Sequence, residues 1–557
     1  MRRIYTTLAV AFLCLISCKE HIEANSTIAI IPQPTVVEES EGVFTLSPRT
    51  AIILHFEAEQ LADAVGHINA IANDIFGRSL AIKCSSENSP KENVINIYQD
   101  RSIAHEGYRL CVSKSSIDIT SSTANGVFYA IQSLRQMLPH KALTAKRVKS
   151  VNIPAVKIED APHFTYRGVL LDVCRHFFTA DEVKTIIDIA AMHKINHFHW
   201  HLTDDQGWRI EIKRYPLLTE IGSRRADSQV IGTHHRRNLA MEGVPYGPYF
   251  YTQEEIAEVV EYASKRFVTV VPEIDLPGHT VAALTAYPHL GCVGEGYKVR
   301  EIWGIAKEVM CLGKESTFEF IENVLGEVLE LFPSKYIHIG GDECPRDAWK
   351  VCPLCQARIK AEGLQNEAEL QSYCNHRIEA LLHKQGRKMI GWDEFLEGGV
   401  SPTTTIMSWR GVEGGIAAAK AGNYAIMTPY KLCYLNGIQS ADLANEPAFG
   451  VRNPHIPHHR PLDKVYNFNP YDGLTTEEQQ YILGIQACVW TEHIKEFNHL
   501  TYMLLPRLSA LAETAWSLPR KDWERYIANL ENLRRFYEAH NYNYAISYWR
   551  DKANGIE

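Results

Sequence analysis

Along most of the chain, short apolar runs end in polar or aromatic residues, mostly with stretches of helical period between them. The runs are YRGVLLDV (166–173), INHFHWHL (195–202), FVTVVPEI (267–274), YIHIGG (336–341), KMIGW (388–392), TTIMSW (404–409), YAIMTP (424–429) and ILGIQACVW (482–490). Helical spacing recurs over Thr179–His193, Thr252–Lys265, Ser316–Leu331 and Glu367–Gln385. Eight buried strands alternating with helices predict an α/β fold, a (β/α)₈ TIM barrel. The rival is a doubly wound open sheet. It would normally show a Gly-rich phosphate loop after an early strand, and no such loop is seen. Near the end, KDWERYIANLENLRRFYEAH (521–540) sets Trp523, Ile527, Leu530 and Phe536 roughly on one stripe. It is expected to be a helix packing back onto the barrel.

Upstream, residues 25–160 read as a small α+β domain preceding the barrel of 161–557, which includes the C-terminal helix. VINIY (94–98), GYRLCVS (107–113) and SIDITSS (116–122) alternate as short strands do. ANGVFYAIQSLRQML (124–138) has helical spacing, with Asn125 near its start. The Pro-punctuated NIPAVKIEDAPHF (152–164) reads as the connection between the two domains. The first 18 residues stand apart. Arg2 and Arg3 precede TTLAVAFLCLIS (6–17), an apolar run too short to span a bilayer. The end, Leu15-Ile16-Ser17-Cys18, resembles a bacterial lipoprotein signal, with lipidation expected at Cys18. An ordinary secretory signal with an incidental cysteine is the alternative. Localisation is therefore expected in the cell envelope, with membrane attachment through the N-terminal lipid only.

Composition narrows this picture only slightly. Apolar residues make up 45% of the 557 and charged residues 22%, as in a soluble globular body. The net charge of −9, with no block of like charge, argues against nucleic acid, which wants clustered Lys and Arg. Of 13 cysteines, 11 remain once Cys14 and Cys18 are set aside. Several, such as Cys111, Cys174 and Cys488, fall in strand-like runs, so free buried thiols are expected rather than a disulfide framework. Cys352-Pro-Leu-Cys355 is a CxxC without a second pair at zinc-finger spacing. It too is read as free thiols, with a local disulfide or a metal as lesser readings. No metal and no cofactor are expected.

The ends of the runs are loaded with polar residues, and in a TIM barrel the chemistry sits there. They hold Asp172, Arg175 and His176; His199 and His201 running to Asp204 and Asp205; Glu273, Asp275 and His279; Asp342 and Glu343; then Trp392, Trp409, Tyr434 with Asn436, and Trp490 with Glu492. Acids, one Arg and three Trp describe a pocket for a neutral ring bearing many hydroxyls. Asp342 and Glu343 are neighbours, and neighbours on a strand face opposite ways. After Gly340-Gly341 the backbone can loosen enough for both carboxyls to reach one pocket. Two close carboxyls do not ionise together, so one is kept protonated and can donate to a leaving-group oxygen. A retaining glycosidase with its own nucleophile places two carboxyls about 5–5.5 Å apart, flanking the bond. Sequence neighbours suit that poorly and suit a mechanism in which the enzyme supplies no nucleophile. The His-Trp-His of residues 199–201 is read as buried, hydrogen-bonded histidines rather than ligands.

YRGVLLDVCRHF, HWHLTDDQGW, PEIDLPGH, HIGGDE, GWDE, SWRG and WTE resemble the motifs of glycoside hydrolase family 20, the β-N-acetylhexosaminidases. The resemblance runs from about Ile30 to the C-terminus. It implies an exo-acting retaining enzyme whose substrate supplies the nucleophile, the 2-acetamido oxygen, through an oxazolinium ion. It implies Glu343 as general acid and base, Asp342 as orienter of the acetamido N–H, and Tyr434 as partner of its oxygen. Trp392, Trp409 and Trp490 would wall the sugar, Arg175 would hold O3 and O4, and Glu492 would hold O4 and O6. Asp204 and His279 would form a relay behind Glu343. The partner implied is an N-acetylhexosamine-terminated glycan from mucin, glycosaminoglycan or chitin. A disaccharide-releasing relative and an inactive lipid-anchored glycan-binding protein are the alternatives; together, the acid pair, Tyr434 and Asp204 argue against the second.

One residue departs from the pattern: Asn436 stands where many bacterial members carry Asp, near the expected O4 and O6. An amide there removes repulsion toward an anionic substituent. THHRR (Thr233–Arg237) and HIPHHR (His455–Arg460) follow the second and seventh runs on the same face. Together they raise 6-sulfated N-acetylglucosamine as a substrate.

Overall fold

The computed structural model describes residues 20–145, 147–231, 240–442, 444, 446–447 and 459–548. Cys18, Thr233–Arg237 and the first four residues of the HIPHHR stretch lie outside them. Eight parallel strands close a barrel: β1 (Tyr166–Asp172), β2 (His197–His201), β3 (Thr269–Glu273), β4 (Tyr336–His338), β5 (Lys388–Trp392), β6 (Thr405–Ser408), β7 (Ala425–Met427) and β8 (Ile482–Val489). β8 pairs back with β1, Gly484 opposite Tyr166. The eight runs read from the sequence are these strands: KMIGW is β5 unchanged, and the other seven are trimmed by up to three residues at an end.

Local chemistry sets the helix starts. Thr179 and Glu182 close a capping box on Ala180–Met192, and Thr252 and Glu255 close another on Gln253–Ser264. Asn366 caps Glu367–Lys384 by accepting from two backbone N–H groups. The outer ring is incomplete. After β5 there is only a 3₁₀ turn, Asp393–Glu397. Gly398, Gly399 at φ +90° and Pro402 follow, and a helix cannot run through them. Tyr166, Leu170, Val271, Ile390, Met407, Ile426 and Cys488 fill the barrel, and Trp392, Trp409, Tyr434 and Trp490 continue that cluster upward into the mouth.

The small domain is a mixed sheet with the helices Ala62–Phe76 and Ala124–Met137. Most of NIPAVKIEDAPHF is not a connection: Ser150–Asp160 is a long strand pairing with Val36–Leu46 and Tyr108–Val112. Pro154, which cannot donate to a ladder, is accommodated where the register slips between Glu39 and Val43. Only residues 161–165 join the sheet to β1. The join is buried and polar. Asp160 accepts from Tyr108 and Trp516 and pairs with Lys194 at 3.0 Å, while Arg167 pairs with Glu106 at 2.8 Å.

The last helix, Trp523–Ala539, buries Tyr526, Leu530, Leu533, Phe536 and Tyr537. It does not pack on the barrel alone. Tyr526 meets Ser509 of a barrel helix, and Tyr537 meets His193. On its other side Phe536 lies under Arg135 of the small domain. The helix ties the two domains together.

Candidate active site

The polar residues singled out at the strand ends gather at one end of the barrel, some at its mouth and some buried beneath it. The turn after β4 decides how. Gly340 and Gly341 take φ of +63° and +92°, and Glu343 takes +45°. A Cβ on Gly340 would stand 1.8 Å from Asp275 Oδ1, and one on Gly341 2.1 Å from Phe395 Cε1, so only glycine fits at either place. Gly341 N–H donates to Asp275 at 3.1 Å. A left-handed Glu costs on the order of 1–3 kcal/mol, which the surrounding contacts must offset. The turn reverses the strand alternation, and both carboxyls converge on His279. Nε2 of His279 is 3.5 Å from Glu343 Oε2 and 4.0 Å from Asp342 Oδ2.

Behind them lies a chain of alternating charge. His279 Nδ1 is 3.3 Å from Asp204 Oδ1 and from Asp205 Oδ2. Asp204 Oδ2 meets Arg175 Nη2 at 2.8 Å and His201 Nε2 at 2.9 Å. His201 Nδ1 meets Glu273 at 2.6 Å. Burial pushes Asp204 toward neutrality, but Arg175 and His279 outweigh it and hold it well below the usual carboxylate range. Burial likewise lowers His279, yet Asp204 above all raises it well past the ordinary imidazole value. The same competition separates the acid pair. Burial, with the Glu343 charge adding and His279 opposing, pushes Asp342 up to about 7. Burial also acts on Glu343, but His279 prevails and holds it below its ordinary value.

Arg175 is anchored by Asp172 at 3.3 Å and Gln206 at 3.1 Å, with its guanidinium 5.1 Å from the Trp490 ring centre. It is thus both an ion-pair partner of Asp172 and part of the mouth. Glu492 faces Arg175 and Asp172; burial raises its carboxyl although Arg175 opposes. The aromatic wall is continuous. Tyr434 stacks on Trp409 at 6.2 Å and 13°, and Trp490 lies 6.0 Å from both Tyr434 and Trp392. Trp392 is fixed by donation to Glu273 and Trp409 by donation to Glu394. Tyr434 and Asn436 follow β7, and Leu435 N–H between them donates to the Cys488 carbonyl of β8 at 2.7 Å. Asp342 Oδ1 and Asn436 Oδ1 are buried without a hydrogen-bond partner among the described residues. Buried acceptors left open in a polar mouth are places for a ligand's donors.

Ten of the eleven expected pocket residues are joined by these contacts at one mouth, and Asn436 stands two residues beyond Tyr434 with its Oδ1 buried. His199 and His201 lie beneath it: His199 contacts Gln486 at 3.0 Å and Glu273 at 3.0 Å, and Trp200 points out against Tyr251. His199, Glu273 and His338 are close enough for an ion, as are Asp204, Asp205 and His279. Their donor atoms already face one another, Arg175 and Trp392. Sequence reasoning assigns no role to Glu394, although GWDE contains it. Burial, with Asp342 nearby, lifts its carboxyl to about 8, and it fixes Trp409. Its place two residues after the fifth run's Trp392 was the available signal.

The catalytic domain of glycosyl hydrolase family 20 matches residues 164–519, and domain 2 of that family matches residues 27–161. A β-hexosaminidase of Porphyromonas gingivalis is 43% identical over 535 residues, 94% of this chain; the chain spans 65% of that relative's length. An exo-β-N-acetylglucosaminidase of Vibrio harveyi, solved with N-acetylglucosamine, superposes with a TM-score of 0.80 at 32% identity, covering 92% of this chain and 78% of its own. A β-N-acetylhexosaminidase of Bacteroides fragilis superposes with a TM-score of 0.77 at 31% identity, over 93% and 97%. With small domain and barrel each matched in turn, the chain belongs to glycosyl hydrolase family 20, a family of glycoside hydrolases.

Proposed function

We propose that this protein is an exo-acting, retaining β-N-acetylhexosaminidase that removes terminal β-linked N-acetylglucosamine or N-acetylgalactosamine by substrate-assisted catalysis. The observation that carries this reading is the convergence of two neighbouring carboxyls on His279 beside one aromatic wall. A nucleophile and an acid flanking the bond would need to come from different sides. Here Asp342 offers its open Oδ1 to the acetamido N–H, and Tyr434 offers its hydroxyl to the acetamido oxygen. That oxygen forms the bond to C1 while Glu343 gives its proton to the departing glycosidic oxygen. Water then attacks C1, the bond to the acetamido oxygen breaks, and Glu343 takes the water's proton back. Two inversions at C1 leave the configuration retained. Trp392, Trp409 and Trp490 hold the acetamido group and ring, Arg175 the O3 and O4 hydroxyls, and Glu492 O4 and O6. The N-acetylglucosamine seen with the Vibrio harveyi enzyme supports a substrate of this class.

Hydrolysis of p-nitrophenyl N-acetyl-β-glucosaminide, alone and with a thiazoline mimic of the oxazolinium ion, tests the reading. Rapid release blocked by the mimic is expected. Release that ignores the mimic means a different glycosidase mechanism, with an enzyme nucleophile or direct attack by water.

Asn436 favours a finer substrate, 6-sulfated N-acetylglucosamine. Its neutral amide, with Oδ1 open, does not repel an anion as Asp would. Arg460 is buried, its Nε and Nη1 without partners among the described residues; burial lowers it to about 10, with Tyr434 opposing. A sulfated aryl glycoside cleaved a hundredfold or more slower than the plain one sinks this. We further propose that Cys18 carries the lipid that holds the enzyme in the envelope. Radiolabelled palmitate should appear in the protein and be lost in Cys18→Ala.

A further inference from the structure

Four cysteines that no step above uses meet on the same face of the barrel. Cys292 and Cys311 belong to the long segment between β3 and the helix Glu315–Leu331. Cys352 and Cys355 bracket the first turn of the helix Pro353–Ala361, which follows β4. Their sulfurs stand 3.9 Å (Cys292–Cys355), 3.7 Å (Cys311–Cys352) and 3.6 Å (Cys311–Cys355) apart, and all four lie within 4.8 Å of one another. Three of the four side chains are buried and Cys292 is half-buried.

Two physical readings compete. A disulfide joins sulfurs in pairs, yet Cys311 is equally near Cys352 and Cys355, and Cys355 is near two others. Nothing in the arrangement selects a pair. A zinc ion instead takes four thiolates at about 2.3 Å, and the edge of a tetrahedron is about 1.63 times its centre-to-corner distance, so the sulfurs should stand about 3.8 Å apart. The three measured edges bracket that value.

The backbone is built for this meeting. Gly291 and Met310 bridge, and Cys311 N–H donates to Leu290 at 2.8 Å, which brings Cys292 beside Cys311. Gly313 lies flat on the other turn: a Cβ there would stand 2.2 Å from the Leu354 carbonyl carbon and 2.5 Å from Cys355 N. Only glycine allows the two turns so close. Cys352 is the residue preceding the helix Pro353–Ala361, where free N–H groups favour a thiolate. Lys314, its ammonium on the carbonyls of His289 and Gly291, brings positive charge to a centre that would carry −2.

We propose that Cys292, Cys311, Cys352 and Cys355 form a structural tetrathiolate zinc site that staples the segment after β3 to the segment after β4. Binding exchanges four thiol protons for one Zn²⁺. With four protein ligands there is no open position for water or substrate, so the ion is structural. What it holds is the acid pair's surroundings. Met310 N–H, next to Cys311, donates to Pro277, two residues before His279, and Trp349 donates to Met310. Gly278 packs on Cys344, the residue after Glu343.

The test is a zinc count on the full chain, expressed with zinc supplied and purified without chelator. About one zinc per chain is expected, released in step with titration by an organomercurial thiol reagent. Cys311→Ser and Cys352→Ser should each hold less than a tenth of that zinc and unfold at lower temperature. The wild-type count decides even if a variant does not fold. Wild-type chain without zinc, whether all its thiols react with Ellman's reagent in denaturant or four appear only after reduction, overturns the proposal. Zinc that survives full mercurial titration, or iron in its place, overturns it as well.

Discussion

Asp342 and Glu343 are alike in chemistry and adjacent in the chain, yet their surroundings pull them apart. Of the two close carboxyls Asp342, the more buried, is raised, while the expected acid, Glu343, is pulled down by His279. Productive cleavage needs one proton on the pair, carried by Glu343, with Asp342 ionised. The pair loses that last proton near 7, so kcat/KM should fall as pH rises through about 7. It should fall again in acid, where a second proton neutralises Asp342. In Asp342→Asn the only proton left to lose is that of Glu343, held low by His279. The alkaline limb of the residual activity should therefore move down by more than one pH unit; a limb that stays in place excludes Asp342 as its owner. Glu343→Gln should fold normally and lose about 10²–10⁴-fold in kcat on unactivated glycans, and less on a p-nitrophenyl glycoside, whose leaving group needs no proton. Equal rates on natural glycans for variant and wild type would remove Glu343 from the acid role.

At the scale of elements, the turn after β4 converts strand alternation into convergence. Gly340→Ala adds both a left-handed strain and a clash with Asp275, which supports the turn. Displacing the pair by an ångström should cost roughly a hundredfold in kcat. Gly386→Ala is the control. It too has positive φ, but nothing stands within 4 Å of its Cβ, and it lies after the helix Glu367–Lys384. It should lower stability by about 1 kcal/mol and leave kcat unchanged. Steady-state kinetics and thermal melts on both variants separate a positioning effect from loss of fold.

Across the whole molecule, the small domain and barrel are joined by buried charge. Lys194 and Asp160 are fully buried and paired. Asp160→Ala removes one partner, leaving the ammonium in the interior, and should destabilise by about 3–5 kcal/mol, read from the denaturant midpoint. The acid pair and its aromatic wall lie at the opposite ends of the strands, so kcat at low temperature should be preserved. A variant of wild-type stability would show that the join is held by its apolar contacts, such as those of the helix Trp523–Ala539.

Much of this protein is determined by local pattern, which a sequence carries openly. The eight strands follow from short apolar runs, and the small domain from alternating ones. The mouth residues follow from polar side chains placed where those runs stop. Physics alone pointed to the acid pair; the individual roles of Tyr434, Arg175 and Glu492 came from the resemblance. Other features depend on residues far apart in the chain, and only the tertiary structure decided them. Ser150–Asp160 is a strand because partners over a hundred residues away accept it despite Pro154. His279 reverses the expected order of the two carboxyls because β3 and β4 are neighbours in the barrel. The CxxC at Cys352 and Cys355 looked isolated because its companions, Cys292 and Cys311, are separated from it by the whole of β4 and the helix before it. Spacing along a chain reports a site only when one segment builds it; here the barrel brings two segments together, and distance in space replaces distance in sequence.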